Sequence, residues 1–332
     1  MSAQIPQKFG SMPRRLRLGM VGGGAGLIGE VHANGARLSN RWELVAGALS
    51  SNSERAKAAG KGWFLAADRC YESYQEMARA ETQRADGIDA VAIVTPNHLH
   101  APVALEFMAR GIDVISDKPV TARLDELGPL VAAQEKSKVF FGITYAYASH
   151  PMLRQAREMV RAGELGDLRQ IHVEYFQDWA IDLTDQAEEI PWRLDPAQTG
   201  SSFTVADIGT HAEHLACFAS GLQIEALRAD FHVTGAAKSL EDTAFMQLRF
   251  EGGVPGTLMV SQAMAGSQCG LRLRLCGSKA SLDWCQETPE SLSYRAVGQP
   301  EKILTRGHGA GIYPPVENLL RMPRGHPEAL SD

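Results

Sequence analysis

No C-x-x-C pair occurs among the five cysteines, Cys70, Cys217, Cys269, Cys276 and Cys285, and their number is odd. That excludes a zinc-knuckle spacing and a redox dithiol, and it points to reduced thiols in the cytoplasm. A run of about eighteen apolar residues is also missing. The N-terminus has no uncharged apolar segment, because Pro13-Arg14-Arg15-Leu16-Arg17 leads straight into a glycine-rich turn. Neither membrane insertion nor export is expected. Charge of one sign is lacking too: Lys and Arg total 33 against 39 Asp and Glu, a net charge of −6 that is not gathered into blocks, so nucleic acid is not an expected partner. What remains is 332 residues, 44% hydrophobic and 22% charged, the balance of a folded chain of about two domains.

Two patterns divide the chain. In the first, short apolar runs at 16–21, 42–49, 88–94, 112–115 and 139–143 alternate with helical stretches such as 103–110, closed by Gly111. Such alternation predicts a parallel, doubly wound α/β sheet. After Tyr145 the order changes. A helix at 152–162, an apolar run at 171–176, a polar loop and a second helix at about 207–219 precede strand candidates at 224–233, 243–250, 256–262, 271–276 and 281–284. Consecutive strands with short turns imply a mostly antiparallel sheet in an α+β unit. The expected division is therefore a dinucleotide-binding domain over 1–146 and a substrate-binding and oligomerisation domain over 147–332. Gly325-His326-Pro327-Glu328-Ala329-Leu330 looks like the opening of a helix that the chain does not continue, and a truncated sequence is the expectation.

After the first run, Gly24, Gly26 and Gly29 fit G-x-G-x-x-G between a strand and a helix. Glycine there allows a tight turn, close approach of a pyrophosphate and close helix packing, with amides at the helix start taking the phosphates. An NAD site usually places an acid at the tip of the second strand. Here the tip reads Ser50-Ser51-Asn52-Ser53. Glu54 is assigned with Ser51 to a capping box, and Ser50 with Arg55 suits a 2′-phosphate. NADP is favoured over NAD, with a solvated loop and an ordinary surface arginine as the alternative.

Two further motifs follow strands. Thr95-Pro96-Asn97-His98-Leu99-His100 follows the third run, and Asp117-Lys118-Pro119 follows the fourth. Both fall at carboxyl ends, where open α/β sheets bind ligands. Together with the glycine turn they resemble the glucose-fructose oxidoreductase/inositol dehydrogenase/rhizopine catabolism family, Gfo/Idh/MocA, over nearly the whole chain. The Gly200-to-His211 segment is similar to that family's D-x-G-x-H stretch, and Gly277-Ser278-Lys279-Ala280-Ser281-Leu282 to a turn of its large sheet. Asp117 stands where the family has glutamate, the glycine turn is one residue longer, and the family's C-terminal helix is absent. The resemblance implies a Rossmann domain followed by an α+β domain, and a dimer or tetramer. Cofactor contacts are implied at Thr95, Pro96, Asn97, His100 and Asp117, the last facing the nicotinamide ribose.

The chemistry follows from residue types. His211 suits a general base, Asp207 four residues earlier would share its helical face and orient it, and Lys118 would stabilise alkoxide charge. The resemblance implies the same roles for all three. Tyr147, Trp179 and Arg193 are candidates to bind a sugar, cyclitol or polyol, although aromatics also serve packing. The expectation is an NAD(P)-dependent dehydrogenase with no bound metal. Alternatives are a non-catalytic NAD(P) sensor and a metal-dependent hydrolase using Asp207, His211 and His214 at i, i+4 and i+7.

Overall fold

The computed structural model describes residues 14–24, 26–186, 188–307, 311–317 and 320. They fall into two compact units. One holds the chain through Thr144 together with Pro196–Ser201; the other holds Tyr145–Asp195 and the chain from Ser202 onward. Among the described residues no helix is long and apolar enough to cross a membrane. The C-terminal stretch 325–330 lies outside the described residues.

The first unit runs β1 (Leu16–Gly22), α1 (Leu27–Ser39), β2 (Trp42–Ala48), α2 (Ser53–Gly62), α3 (Tyr74–Gln83), β3 (Ala90–Val94), α4 (His100–Met108), β4 (Asp113–Ser116), α5 (Leu127–Ser137) and β5 (Phe141–Ile143). Its five strands are parallel in the order β2-β1-β3-β4-β5. The apolar β3 segment is central and its Val91, Ala92 and Ile93 are fully buried, as a strand covered on both faces requires. Glu81 on α3 is buried as well. Its carboxylate accepts from the Arg69 guanidinium, from the Tyr71 hydroxyl at 2.7 Å and from the Ile88 amide at 3.1 Å, so a charge taken from water keeps its donors.

Helix starts differ in one detail from expectation. Asn52, not Ser51, caps α2: its side chain accepts from the Arg55 amide at 3.0 Å, while Ser50 Oγ accepts from the Asn52 amide at 3.1 Å. Asparagine is among the best N-caps, and the strand ends early enough for it to take that place. The other end of α2 is a Schellman motif, with Leu65 N–H donating to Gly60 O and Phe64 N–H to Lys61 O. Phe64 sits at φ 63° and is 87% exposed.

The second unit begins with α6 (Pro151–Arg161) and β6 (Leu168–Phe176), and after the short α7 (Pro196–Thr199), which belongs to the first unit, returns as a π-helical turn, Val205–Gly209, leading into α8 (Thr210–Ser220). Then follow β7 (Ile224–His232), β8 (Thr243–Phe250), β9 (Pro255–Ser261), β10 (Gly270–Gly277), β11 (Ala280–Cys285), β12 (Ser291–Ala296) and β13 (Lys302–Thr305). The eight strands are ordered β13-β12-β11-β10-β6-β9-β8-β7. All neighbours are antiparallel except β6 and β9.

β12 and β13 add to the expected strands. Their Ser, Arg and Lys content hid a pattern that only their pairing completes. Met152, Leu153, Tyr175, Leu215, Phe250 and Trp284 build the core between the sheet and α6 and α8. On the opposite face β8 presents Phe245, Gln247 and Arg249, and β10 presents Arg272 and Arg274.

A left-handed backbone at a bulky residue costs about 1–2 kcal/mol, partly offset by the about 0.4–1 kcal/mol that glycine loses through its freer unfolded chain. Phe64→Gly is therefore expected to stabilise the protein by about 0.5–1 kcal/mol, read as a higher urea midpoint; a lower midpoint would show that the exposed ring contributes more than its backbone costs.

Candidate active-site regions

At the carboxyl edge of the five-stranded sheet the glycine turn is shaped by contact. Gly22 and Gly23 take φ of 80° and 76°, so the tight turn lies before the fingerprint and not at Gly24. Gly24 instead meets the tip of β2: its N–H donates to Leu49 O at 3.1 Å, and a Cβ there would stand 2.7 Å from that oxygen. A Cβ on Gly29 would lie 2.1 Å from Gly23 O, whereas one on Gly26 would meet nothing within 4 Å. Gly26, the N-cap of α1, thus leaves space before the first turn, where Glu30 is the acidic side chain, while its own N–H turns back to Gly23 O at 3.3 Å. A cavity of about 420 Å³ adjoins this helix start, lined in part by Gly24, Gly26, Glu30 and Trp63. Close by, Thr95 Oγ1 is buried without a hydrogen-bond partner among the described residues, and Gly22 passes against Val94 O and Thr95. A helix start capped by glycine and an unsatisfied hydroxyl fit a phosphate-bearing ligand.

The two later motifs are tied to each other. The buried His100 ring has Nε2 at 2.9 Å from Thr95 O and Nδ1 at 2.6 Å from Pro119 O. Burial holds its pKa below the ordinary histidine value against the pull of both carbonyls. Asn97 donates to Thr199 O on α7 at 3.0 Å. Both side chains, expected at the cofactor, are thus occupied within the protein, because a strand end leaves backbone groups that something must satisfy. Asp117 is likewise engaged. Thr144 Oγ1 donates to its Oδ1 at 2.6 Å, and His32 Nε2 on α1 lies 3.0 Å from the same oxygen. Burial alone would raise its pKa, but these partners hold it below the usual carboxylate range. Pro96 precedes the turn that starts α4, and Lys118 joins Pro119 through a cis peptide at the end of β4.

In the second unit the π-helical turn carries Asp207 and the first turn of α8 carries His211. The buried His211 ring packs 4.5 Å from the Tyr147 ring and edge-on to Tyr145 at 5.8 Å. Tyr147 hydroxyl hydrogen-bonds Tyr175 hydroxyl at 2.8 Å, and burial pushes the Tyr147 phenol up to about 12. His214 stacks on Tyr145 at 4.2 Å. Among the described residues no three ligand side chains converge as a metal would need, so the i, i+4, i+7 pattern does not form a cluster.

Asp207 Oδ2 accepts from Gln262 Nε2 at 2.8 Å. Gln177 joins this pair to the aromatic residues: its Oε1 accepts from Gln262 Nε2 and from Trp179 Nε1, both at 3.0 Å, and its Nε2 donates to Tyr175 hydroxyl at 3.3 Å. The Arg193 guanidinium lies 4.4 Å over Trp192 and 5.7 Å from the half-exposed Trp179 ring. Gln262, Gln177, Glu241 and His32 did not stand out in the sequence. Only a glutamine closing the alternating β9 pattern, where another apolar residue would suit the core, offered a signal.

Comparison with known proteins matches both parts of the chain. Residues 16–145 match the family model of the oxidoreductase family, NAD-binding Rossmann fold, and residues 153–283 match that of the GFO/IDH/MocA C-terminal domain. An oxidoreductase structure from Sinorhizobium meliloti is 43% identical, with a TM-score of 0.85 over 96% of this chain and 85% of that one. An inositol dehydrogenase homolog from Azotobacter vinelandii, complexed with NAD+, is 33% identical with a TM-score of 0.91, covering 96% and 84%; that homolog is also known with NADH and myo-inositol. The uncharacterized oxidoreductase YfiI of Bacillus subtilis is 36% identical over 300 residues, 88% of this chain and 76% of that protein. With both domains matched in order, the chain belongs to the Gfo/Idh/MocA family of oxidoreductases.

Proposed function

We propose that the protein oxidises or reduces a carbinol carbon of a sugar, cyclitol or related polyol with NAD(P). The observation that carries this reading is the enclosure of His211 by Tyr145 and Tyr147, with Asp207 on the preceding turn gripped by a buried amide. An imidazole set among aromatic rings, preceded by an oriented carboxylate, suits removal of a hydroxyl proton next to a carbohydrate ring. The myo-inositol complex of the Azotobacter relative supports the substrate class.

A bound nicotinamide supplies the acceptor or donor of hydride at its C4. The amides at the start of α1, where a side chain at Gly26 would meet nothing within 4 Å, are proposed to hold its pyrophosphate, with Gly24 and Gly29 allowing the close approach. Thr95, Pro96 and Asp117 shape the nucleotide side of the sheet edge, while Asn97 and His100 act by bracing it. In the oxidative direction His211 accepts the hydroxyl proton, Asp207 stabilises the resulting imidazolium, and Lys118 stabilises the developing alkoxide. Trp179 and Arg193 offer an apolar face and a donor fork for sugar hydroxyls. A sensor on the same fold would bind cofactor without turnover.

A panel of sugars and polyols with either nicotinamide, followed by absorbance, identifies the substrate. On it Lys118→Ala and His211→Ala are each expected to lower kcat by about 10² to 10⁴ while cofactor binding is kept. Wild-type turnover in both variants would overturn the assignment.

Ser50 just after β2 and the exposed Arg55 in the first turn of α2 follow the strand without an acid before Glu54, and we assign the 2′-phosphate of NADP to them. Arg55→Ala should weaken NADP about tenfold to a hundredfold and leave NAD nearly unchanged; tighter wild-type binding of NAD, or equal losses, speaks against it.

The sheet face bearing Phe245, Arg272 and Arg274 is proposed to pair with a second copy, giving a dimer or tetramer. Phe245 is 46% exposed in a single chain. Sedimentation should show wild type as an oligomer and Phe245→Glu shifted toward monomer; a monomeric wild type refutes the pairing.

A further inference from the structure

Gln262 closes β9 and is fully buried. Its backbone is spent on the sheet edge, N–H donating to Asp242 O and the carbonyl accepting from Ala180 N–H. Its side-chain amide is equally saturated. Oε1 accepts from Thr204 Oγ1 at 2.9 Å, and the two Nε2 hydrogens go to Gln177 Oε1 at 3.0 Å and Asp207 Oδ2 at 2.8 Å. Chemistry dictates that orientation. Turned over, the amide would set its oxygen against a carboxylate and a second carbonyl-type oxygen, which has no hydrogen to offer.

One amide therefore grips the π-helical turn twice, at Thr204 before it and at Asp207 within it. The turn is also held from the start of β8, where the Glu241 carboxylate accepts from Phe203 N–H at 3.2 Å, Val205 N–H at 3.0 Å and Ser202 Oγ at 2.5 Å. Glu241 fixes where the turn begins. Gln262 fixes where its carboxylate points, and it does so with a neutral donor that orients the charge without cancelling it.

We propose that Gln262 is a positioning residue for Asp207, setting the rotamer and the ionised state in which Asp207 assists His211. This rests on the reading of Asp207 and His211 as the acid–base pair. The titratable groups on the surrounding elements are Glu241 and the Lys238–Asp242 ion pair beside β8, Tyr175 on β6 behind Gln177, and His211 on α8. The Gln262 amide donates directly to Asp207 Oδ2.

The test compares Gln262→Leu and the near-isosteric Gln262→Glu with wild type. Two readouts are used: carboxyl ¹³C NMR titration of aspartate-labelled protein, with Asp207→Asn assigning the resonance, and kcat and KM on the substrate from the panel. In Gln262→Leu the Asp207 midpoint should rise by about one pH unit or more, because a hydrogen bond to the charged form is lost. Its kcat should fall about tenfold or more, with KM and cofactor affinity within about threefold. Measured relative to wild type at the same pH, Gln262→Glu should approach wild-type activity at low pH, where its protonated carboxyl donates as the amide did, and fall behind as the pH rises and two adjacent carboxylates would have to ionise together. An unchanged Asp207 titration in both variants overturns the proposal. A shifted titration with wild-type kcat leaves the grip of Gln262 on Asp207 intact and overturns the catalytic reading of Asp207 instead.

Discussion

The carboxyl edge of the five-stranded sheet depends on one imidazole. Where parallel strands stop, the last carbonyls lose the ladder that satisfied them, and loops leaving adjacent strands have no packing reason to stay together. His100 stands between the carbonyls of Thr95 and Pro119 and so joins the loop after β3 to the loop after β4. Lys118 is the residue immediately before one of those carbonyls. Its backbone position is thus set by a buried ring on the first residue of α4, a far stiffer support than a surface loop provides. Asp117 and Thr144 repeat the device toward β5, and His32 carries it back to α1. Polar contacts thus lace the edge across β3, α4, β4, β5 and α1.

The second unit solves a related problem with neutral amides. Asp207 lies at the edge of an apolar core, where an ionised carboxylate without donors would be costly. Gln262 supplies a hydrogen bond to it that carries no net charge, Gln177 holds Gln262 in turn, and burial holds the phenols of Tyr145 and Tyr147 beside His211 above the ordinary tyrosine value. Charges are paired elsewhere in the unit, Lys238 with Asp242 just before β8 and Arg272 and Arg274 with Asp283 across β10 and β11.

Features confined to a few consecutive residues were legible from the sequence: the strand–glycine–helix junction, the motifs after β3 and β4, and the alternation that gives a doubly wound sheet followed by a mostly antiparallel one. Features made by residues far apart were not. Gln262 meets Asp207 across 55 positions and Asn97 meets Thr199 across 102, and no local pattern encodes either pair. Asp117 was legible as an acid at a strand tip, yet its partner His32 lies 85 positions earlier. The capping of α2 shifted by one residue because serine and asparagine serve almost equally well. The short β12 and β13 escaped because a strand read alone shows its burial pattern, while one paired at a sheet margin shows mostly its solvent face.

The place of β6 has a consequence for how the chain comes to be folded. It is a central strand of the large sheet, yet its neighbours β9 and β10 are made 80 or more residues after it. During synthesis β6 must therefore wait with both edges open, carrying Ile171, Val173 and Tyr175 on one face. Such a strand is an invitation to mispairing. Closing the sheet requires long loops to be drawn together before any ladder rewards them, which slows folding. The first unit, whose ladders join strands closer together in the chain, can be complete while this one is still assembling. In the cell the second half of the molecule, not the nucleotide-binding half, is where chaperone dependence and aggregation of weakened variants should concentrate.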